Sequence, residues 1–367
     1  MANIRGALTS RWGPIVAGGI IGILAPVLVY LGNPGNMGIC VACFERDIAG
    51  ALGLHRAGVV QYLRPEIIGI LLGAFGAGLV FREFKPVAGS APFARFFLGM
   101  FAMMGALVFL GCPWRAYLRL AGGDGNALFG ILGLIIGISL GVLFLRRGYS
   151  LGRSRPVSKA LGYLMPVCMV VLLVLLLVAP EFGRTAEGQP TGPIFFSEKG
   201  PGSQHAFWAI ALAVGLAIGF LAQRTRFCTV GAVRDLILMK DPHLLNGVLS
   251  LIGFAFVTNL VLGQFHAGFA EQPVAHTDQI WNTLGMVLAG LAFTLAGGCP
   301  GRHLVLSGEG NTDSALFVTG MIVGAGIAHT FSTASSTAGV GAFGPWAVVI
   351  GLAFCIILGF TMRESRA

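Results

Sequence analysis

Four cysteines in this chain stand where thiol chemistry could be done, and they stand in repeated phrases. Gly111-Cys112-Pro113-Trp114-Arg115 returns as Gly298-Cys299-Pro300-Gly301-Arg302. Ahead of each lies a second shared phrase, Cys-x5-Arg-Asp, running from Cys40 to Arg46-Asp47 and from Cys228 to Arg234-Asp235. Cys40 precedes Cys112 by 72 positions and Cys228 precedes Cys299 by 71. A proline directly after a cysteine suits the first helical position, because it has no N–H to leave unsatisfied and its φ is already helical. The cysteine then sits at the N-cap, facing free amides and the positive end of the helix dipole, a place that attracts anions and activates a thiol. If Cys40 and Cys228 also open helices, Asp47 and Asp235 lie seven residues on and share nearly the same face. Arg46, Arg115, Arg234 and Arg302 add positive charge from all four segments.

Each group has a plainer reading. A cysteine in an apolar protein is usually a small packing residue, and Cys168 and Cys355, inside unbroken apolar runs, are read that way. Packing does not explain four cysteines repeated beside Gly/Pro breaks. The Arg-Asp pairs could simply be ion pairs that pin short helices, and Arg115 and Arg302 could be interfacial anchors. Asn126 and Asn311, in the phrases Gly123-Asp124-Gly125-Asn126-Ala127 and Gly308-Glu309-Gly310-Asn311-Thr312, suit turns and helix starts. Cys40-x2-Cys43 is a dithiol spacing, but Gly231 stands where a counterpart of Cys43 would be. A zinc site needs four ligands, and His266, His276 and His329 are scattered near span ends, where structural roles fit better. No Walker loop, dinucleotide fingerprint or serine-nucleophile elbow occurs, so the sequence implies no cofactor and no metal.

The elements that must position these residues follow from composition. Only 11% of residues are charged, 55% are hydrophobic and the mean hydropathy is +0.82, outside the range of soluble domains. The expected fold is an all-α integral membrane protein. Glycine, 56 of 367 residues, suggests close helix approach and broken helices. The net charge of +9 sits in short segments between apolar spans, which fits positive-inside topology and gives no reason to invoke nucleic acid. Apolar runs near 13–31, 66–81, 93–111, 127–145, 160–180, 206–222, 245–263, 280–298, 314–331 and 345–361 predict about ten transmembrane helices. No small-residue cleavage site follows the first run, so it reads as a span rather than a removed signal peptide. Four short stretches near 33–50, 112–124, 227–240 and 299–310 are too polar and broken to span. Each begins at or near a repeated cysteine and reads as a re-entrant half-helix, since irregular backbone at membrane depth survives only inside protein or a wet cavity.

Arg5 and Arg11, the linkers around Arg82 to Lys85 and Arg146 to Lys159, and the tail with Arg363 and Arg366 fall on one side, expected to be cytoplasmic. The linkers 181–204, with Glu181, Glu187, Pro190, Pro193, Glu198 and Pro201, and 264–279, with Glu271 and Asp278, fall on the other. The extra span 160–180 then inverts the second repeat relative to the first. The expected division is a first membrane repeat over 1–145 and a linker with connector helix over 146–204. A second, inverted repeat covers 205–335, and a final helix with a cytoplasmic tail covers 336–367.

The phrases Gly38-Ile39-Cys40-Val41-Ala42-Cys43-Phe44-Glu45-Arg46-Asp47, Gly111-Cys112-Pro113, Arg226-Phe227-Cys228 with Arg234-Asp235, and Gly297-Gly298-Cys299-Pro300-Gly301 resemble the YeeE/YedE sulfur-transport family, and more narrowly its YedE selenium-transporter branch. The resemblance runs from about residue 13 to 361. It implies an hourglass-shaped protein of a bacterial or archaeal cytoplasmic (inner) membrane, with both termini cytoplasmic. It also implies central cysteines that contact a thiosulfate ion and pass it inward, roles that would fall to Cys40, Cys112, Cys228 and Cys299. A cytoplasmic TusA-like sulfur carrier or a selenophosphate-pathway protein would receive the cargo. Cys43 and the long Arg/Asp-bearing loops depart from the thiosulfate-carrying members and leave the choice between sulfur and selenium ions open.

The expected activity is therefore transport, not catalysis: uptake of a small sulfur- or selenium-containing anion by weak successive thiol contacts. A thiol is a weak donor and a polarizable neighbour for either element, and weak contacts let an ion both enter and leave. The rival expectation is a membrane thiol oxidoreductase or sulfurtransferase using Cys40 and Cys43. The inverted duplicate argues against it, because an enzyme needs one competent site.

Overall fold

The computed structural model describes residues 8–178, 185–187 and 191–363. Arg5, Glu181, Pro190 and Arg366, used above for sidedness, lie outside these residues. Among the described residues the chain forms fourteen helices and a single two-residue strand pair. In order they are α1 (Gly13–Tyr30), α2 (Val41–Ala51), α3 (Pro65–Val80), α4 (Pro92–Phe109), α5 (Pro113–Ala121) and α6 (Asn126–Arg146). After the connector α7 (Lys159–Val178) come α8 (Trp208–Thr225), α9 (Thr229–Met239), α10 (His243–Val261), α11 (Gln279–Ala296), α12 (Pro300–Gly308), α13 (Thr312–Thr330) and α14 (Gly344–Thr361).

Ten of these coincide with the ten apolar runs, and the four remaining helices, of 11, 9, 11 and 9 residues, coincide with the broken stretches. Eight stretches of the described chain are long and apolar enough to cross a membrane. Of the other two expected spans, α3 has only 16 residues and α13 carries Asp313 and His329 near its ends. Prolines open α3, α4, α5 and α12 at their first positions, where a missing N–H leaves nothing unpaired.

The packing pattern exchanges the two halves. Taking α1–α6 and α8–α13 as counterparts, every major contact between them has a mirror: α3 on α8 and α10 on α1, α6 on α11 and α13 on α4, α12 on α3 and α5 on α10. The contacts of α4 with α11 and of α1 with α8 are their own mirrors. With little hydrophobic drive between helices in lipid, such contacts rest on close backbone approach through small residues. Gly18 meets the Gly247 carbonyl so closely that a Cβ would lie 1.9 Å from its oxygen, and Gly133 meets Thr283 O at 2.1 Å in the same sense.

The loops gather on two opposite faces. On one, Val87–Ala88 pairs with Arg155–Pro156, Lys85 N donates to Glu309 O, and Ser150 N donates to Met362 O. On the other, Phe195 N donates to Ala51 O, Ser197 N to Gln61 O, and His266 N to Gly122 O. The short helices α2 and α5 therefore end on the second face. On the first face α12 ends, and α9 nears its end where Arg146 donates to Ile237 O at 2.8 Å. The linkers expected on one side, 82–85 and 146–159, do meet.

Candidate functional site

All four repeated cysteines occupy N-cap positions with extended backbone: Cys40 before α2, Cys112 before α5, Cys228 before α9 and Cys299 before α12. Two of them cap in the usual sense. Cys40 Sγ accepts from Cys43 N at 3.3 Å, and Cys228 Sγ accepts from Gly231 N at 3.2 Å. Cys112 and Cys299 make no such bond to their own first turn, where proline has removed one donor.

Folding brings the cysteines together as two pairs. Cys40 Sγ lies 3.9 Å from Cys112 Sγ, and Cys228 Sγ lies 3.7 Å from Cys299 Sγ, close contacts between free thiols. Cys299 N also points at Cys228 Sγ, at 3.5 Å. Each pair joins the start of one Cys-x5-Arg-Asp helix to the start of the Gly-Cys-Pro helix of the same half. Cys43, the other thiol of the Cys40-x2-Cys43 spacing, joins the first pair through Arg115, whose Nη1 donates to its sulfur at 3.8 Å.

The charged residues divide by role. Arg115 is buried and donates to the carbonyls of Asn36, Pro273 and Val274 at 3.1 to 3.2 Å, and to Leu110 O. It ties the first thiol pair to the loop after α10 and is no interfacial anchor. Leu110, which accepts from it, holds the left-handed conformation at φ +63°, and its counterpart Gly297 does so at +103°. That turn swings the chain from α4 into α5 and from α11 into α12, and only glycine adopts it without strain.

Arg46 and Asp47 form a buried ion pair at 2.7 Å, and Arg64 grips the other carboxylate oxygen, also at 2.7 Å. Arg64 goes on to donate to the carbonyls of Gln204 and Pro201, so Asp47 anchors α2 to the linker ahead of α8. Arg234 and Asp235 pair at 2.7 Å but are partly exposed, and Arg234 donates to Gly297 O. Among the described residues the ion-pair partner of Arg302 is Glu309 Oε1, at 3.8 Å, and its Nη1 makes no hydrogen bond.

Asn311 caps α13 by accepting from Ser314 N at 2.9 Å, and Asn126 bonds Asp124, Phe269 O and Gln279 at the start of α6. Both make turn and helix-start contacts. Cys355 is buried, whereas Cys168 is exposed on α7, which packs by one face only; the packing reading fails for it. His276 donates from Nε2 to Val108 O at 2.8 Å and accepts Asp278 N at Nδ1, and burial holds its imidazole below the ordinary range, so it stays neutral. Among the described residues no group of three or more His, Cys, Asp or Glu could hold a metal.

Several residues of consequence escaped the sequence reading. Arg64 has no repeated counterpart phrase. Arg119 and Asp124 form a third buried ion pair at 2.6 Å, closing α5 onto its own C-terminus. Glu45 is fully buried on α2 with neither carboxylate oxygen bonded. Trp114 is fully buried with its indole N–H unpartnered.

A multi-pass helical membrane protein, built from two exchanging sets of helices and carrying paired thiols at short-helix starts, is the class that fold and site define. Residues 224–362 match the family model described as Sulphur transport. Two relatives are each named Thiosulfate transporter TsuA. That of Spirochaeta thermophila is 31% identical over 101 residues, 28% of this chain and 30% of the relative. That of Escherichia coli is 33% identical over 99 residues, 27% of this chain and 28% of the relative. The matched stretch thus spans less than a third of either relative's length.

Proposed function

We propose that this protein takes up a small sulfur- or selenium-containing anion across a bacterial or archaeal cytoplasmic membrane, along a path that touches Cys40 and Cys112, then Cys228 and Cys299. The observation that carries the reading is the pairing itself: two sulfur–sulfur contacts under 4 Å, one in each half, at the starts of short helices that end on opposite faces. Each pair offers polarizable sulfur at the positive ends of two helices, a combination that holds an oxyanion of sulfur or selenium without a tight cage. Arg115 and Arg302, next to the two pairs, supply compensating charge. The resemblance of the matched stretch to two proteins named thiosulfate transporters supports thiosulfate as the first ion to try; the YedE-like phrases keep selenium species beside it.

The two halves form inverted repeats about an axis in the membrane plane, with both termini cytoplasmic and the cargo delivered there to a TusA-like carrier or a selenophosphate-pathway protein. No covalent step is part of the reading. The thiol-enzyme alternative would need turnover at Cys40 and Cys43, yet Cys40 Sγ has a second thiol neighbour in Cys112.

Reconstitution into proteoliposomes tests this directly, with labelled thiosulfate, selenite, selenide and sulfite compared in one preparation. Cys112→Ala and Cys299→Ala are expected to abolish uptake while the protein still inserts and purifies as a single species. Survival of uptake in all four single Cys→Ala variants would sink the thiol path. A persulfide, selenosulfide or Cys40–Cys43 disulfide found by mass analysis during turnover would favour the enzyme.

A further inference from the structure

The two Gly-Cys-Pro phrases differ most sharply at their fourth residue: Trp114 in the first copy, Gly301 in the second. These counterparts touch. A Cβ built on Gly301 would lie 2.7 Å from Trp114 Cζ2 and 3.3 Å from Nε1, so the indole occupies the space that a side chain at 301 would fill. The same ring packs edge-on against Phe227, centroids 5.8 Å apart, and Phe227 directly precedes Cys228. One turn further along α5, Tyr117 lies within electrostatic reach of Cys228 and Cys299. The helix that starts at the first thiol pair therefore sends its largest side chain across to the second pair. At the counterpart position the helix that starts at the second pair carries glycine, with no side chain to send back.

We infer that Trp114 is the gate between the two thiol pairs, and that its indole N–H is a hydrogen-bond donor to the anion as it crosses. This deepens the transport reading and rests on it. Two independent observations converge on the assignment. The first is steric: a ring with no exposed surface fills the junction of α5, α12 and the Phe227–Cys228 segment. The second is chemical: Nε1 is buried without a hydrogen-bond partner. Buried Trp normally finds a partner for its N–H, and an orphaned donor in dry protein is unfavourable enough that it calls for a role. An oxyanion passing from Cys112 toward Cys299 would supply the missing acceptor. Glycine at 301 is what leaves the ring room to lie there and to move.

The test uses full-length protein in proteoliposomes, with uptake of labelled thiosulfate and passive leak of labelled sulfate measured together. Trp114→Phe keeps a ring and removes the N–H; it is expected to raise the KM for thiosulfate about tenfold, the loss of one hydrogen bond to an anion, without leak. Trp114→Ala removes the plug and is expected to admit sulfate. Gly301→Ala drives a methyl into the indole and is expected to cut thiosulfate uptake at least tenfold. Gly301→Ala combined with Trp114→Ala should take up thiosulfate again, because the ring it strikes is gone. A residue that merely packed would not give rescue in the double variant or a KM change without leak. Wild-type kinetics and no sulfate leak in Trp114→Ala, or normal uptake in Gly301→Ala, overturn the gate while leaving the transport reading intact. Failure of the wild type to take up thiosulfate or any of the selenium ions overturns both.

Discussion

Asp47 and Asp235 occupy the same place in the two repeated phrases, and their surroundings predict different consequences for the same substitution. Asp47 accepts from Arg46 Nε and Nη2 at 3.0 and 2.7 Å through one oxygen and from Arg64 Nε at 2.7 Å through the other. Its own side chain and that of Arg64 have no exposed surface, and Arg46 has 3%. Asp47→Ala would leave two guanidinium groups buried without a counter-charge. Breaking a buried pair by removing one partner costs about 3–5 kcal/mol, which is roughly two to nearly four orders of magnitude in the folded-to-unfolded ratio. Asp235→Ala leaves Arg234, 26% exposed, able to turn toward water; the expected loss is about 1 kcal/mol or less. Arg64→Gln should fall between them, since Asp47 keeps Arg46. The assay is thermal denaturation of the detergent-purified variants alongside thiosulfate uptake. Equal losses for Asp47→Ala and Asp235→Ala would refute the reasoning from burial. An Asp47→Ala protein that is thermally unchanged but dead in uptake would show that Asp47 meets the ion instead of holding α2.

Three further outcomes follow from particular contacts. Gly133→Leu should block assembly of α6 on α11, because even a Cβ would lie 2.1 Å from Thr283 O, whereas Gly253→Leu on α10 meets nothing within 4 Å and should be tolerated; yield of monodisperse protein separates the two. Burial works against ionisation of Glu83, but hydrogen bonds from Arg224 and Gln223, helped by the charge of Arg226, outweigh it and hold the carboxyl below its ordinary range. A depressed carboxylate contributes stability above its unfolded pKa and loses it as pH falls through the folded value. Glu83→Gln should therefore lower stability at neutral pH, leave stability at acid pH little changed and so flatten the acid limb of a stability–pH curve, and an unaltered acid limb would rule this out. Maleimide labelling should modify Cys228 faster than Cys40 or Cys112, since Cys228 retains 5% exposure and the other two none; equal rates would contradict the sealing described below.

The starts of α5 and α12 were legible in the sequence because proline acts locally: a Cys-Pro pair declares a helix start whatever surrounds it, while the starts at Cys40 and Cys228 showed only through the repeated phrase. Periodic apolar length placed the ten longer helices for the same reason. Asn126 and Asn311 were read both as supporting residues of the site and as turn and cap residues, and the contacts they make are those of a turn and a cap. What stayed hidden depends on chain segments far apart. Arg64 meets Asp47 across the loop that follows α2, and its other partners are carbonyls at 201 and 204, groups that every residue carries. Arg115 is held almost wholly by such carbonyls, from three separate loops, so its type suggested an interfacial anchor. The Trp114–Gly301 contact exists only because the two halves exchange helices, and no spacing within either copy announces it.

The two thiol pairs are alike in sulfur geometry but unlike in how they are sealed. Around Cys40 and Cys112, Arg115 binds the loop carbonyls of Pro273 and Val274, and the Asp47 cluster binds the linker at Pro201 and Gln204. Around Cys228 and Cys299 the corresponding Arg302 has only Glu309, at a distance too long for a hydrogen bond, and Arg234 is partly open to water. The same phrase thus makes a firm closure on the face of α2 and α5 and a loose one on the face of α9 and α12. Inverted repeats allow each half to adopt either arrangement in turn, and a protein of two equal halves would show no preference between them. Arg64 and Cys43 in the first half, the latter against Gly231 in the second, add closure to the first, while Trp114 against Gly301 fills the junction between the pairs. On the transport reading proposed above, the firmly held face would be the one where the ion enters and the loosely held face the one where it leaves. Under the uptake proposed above, the expected slow step is release of the Arg115 and Asp47 contacts.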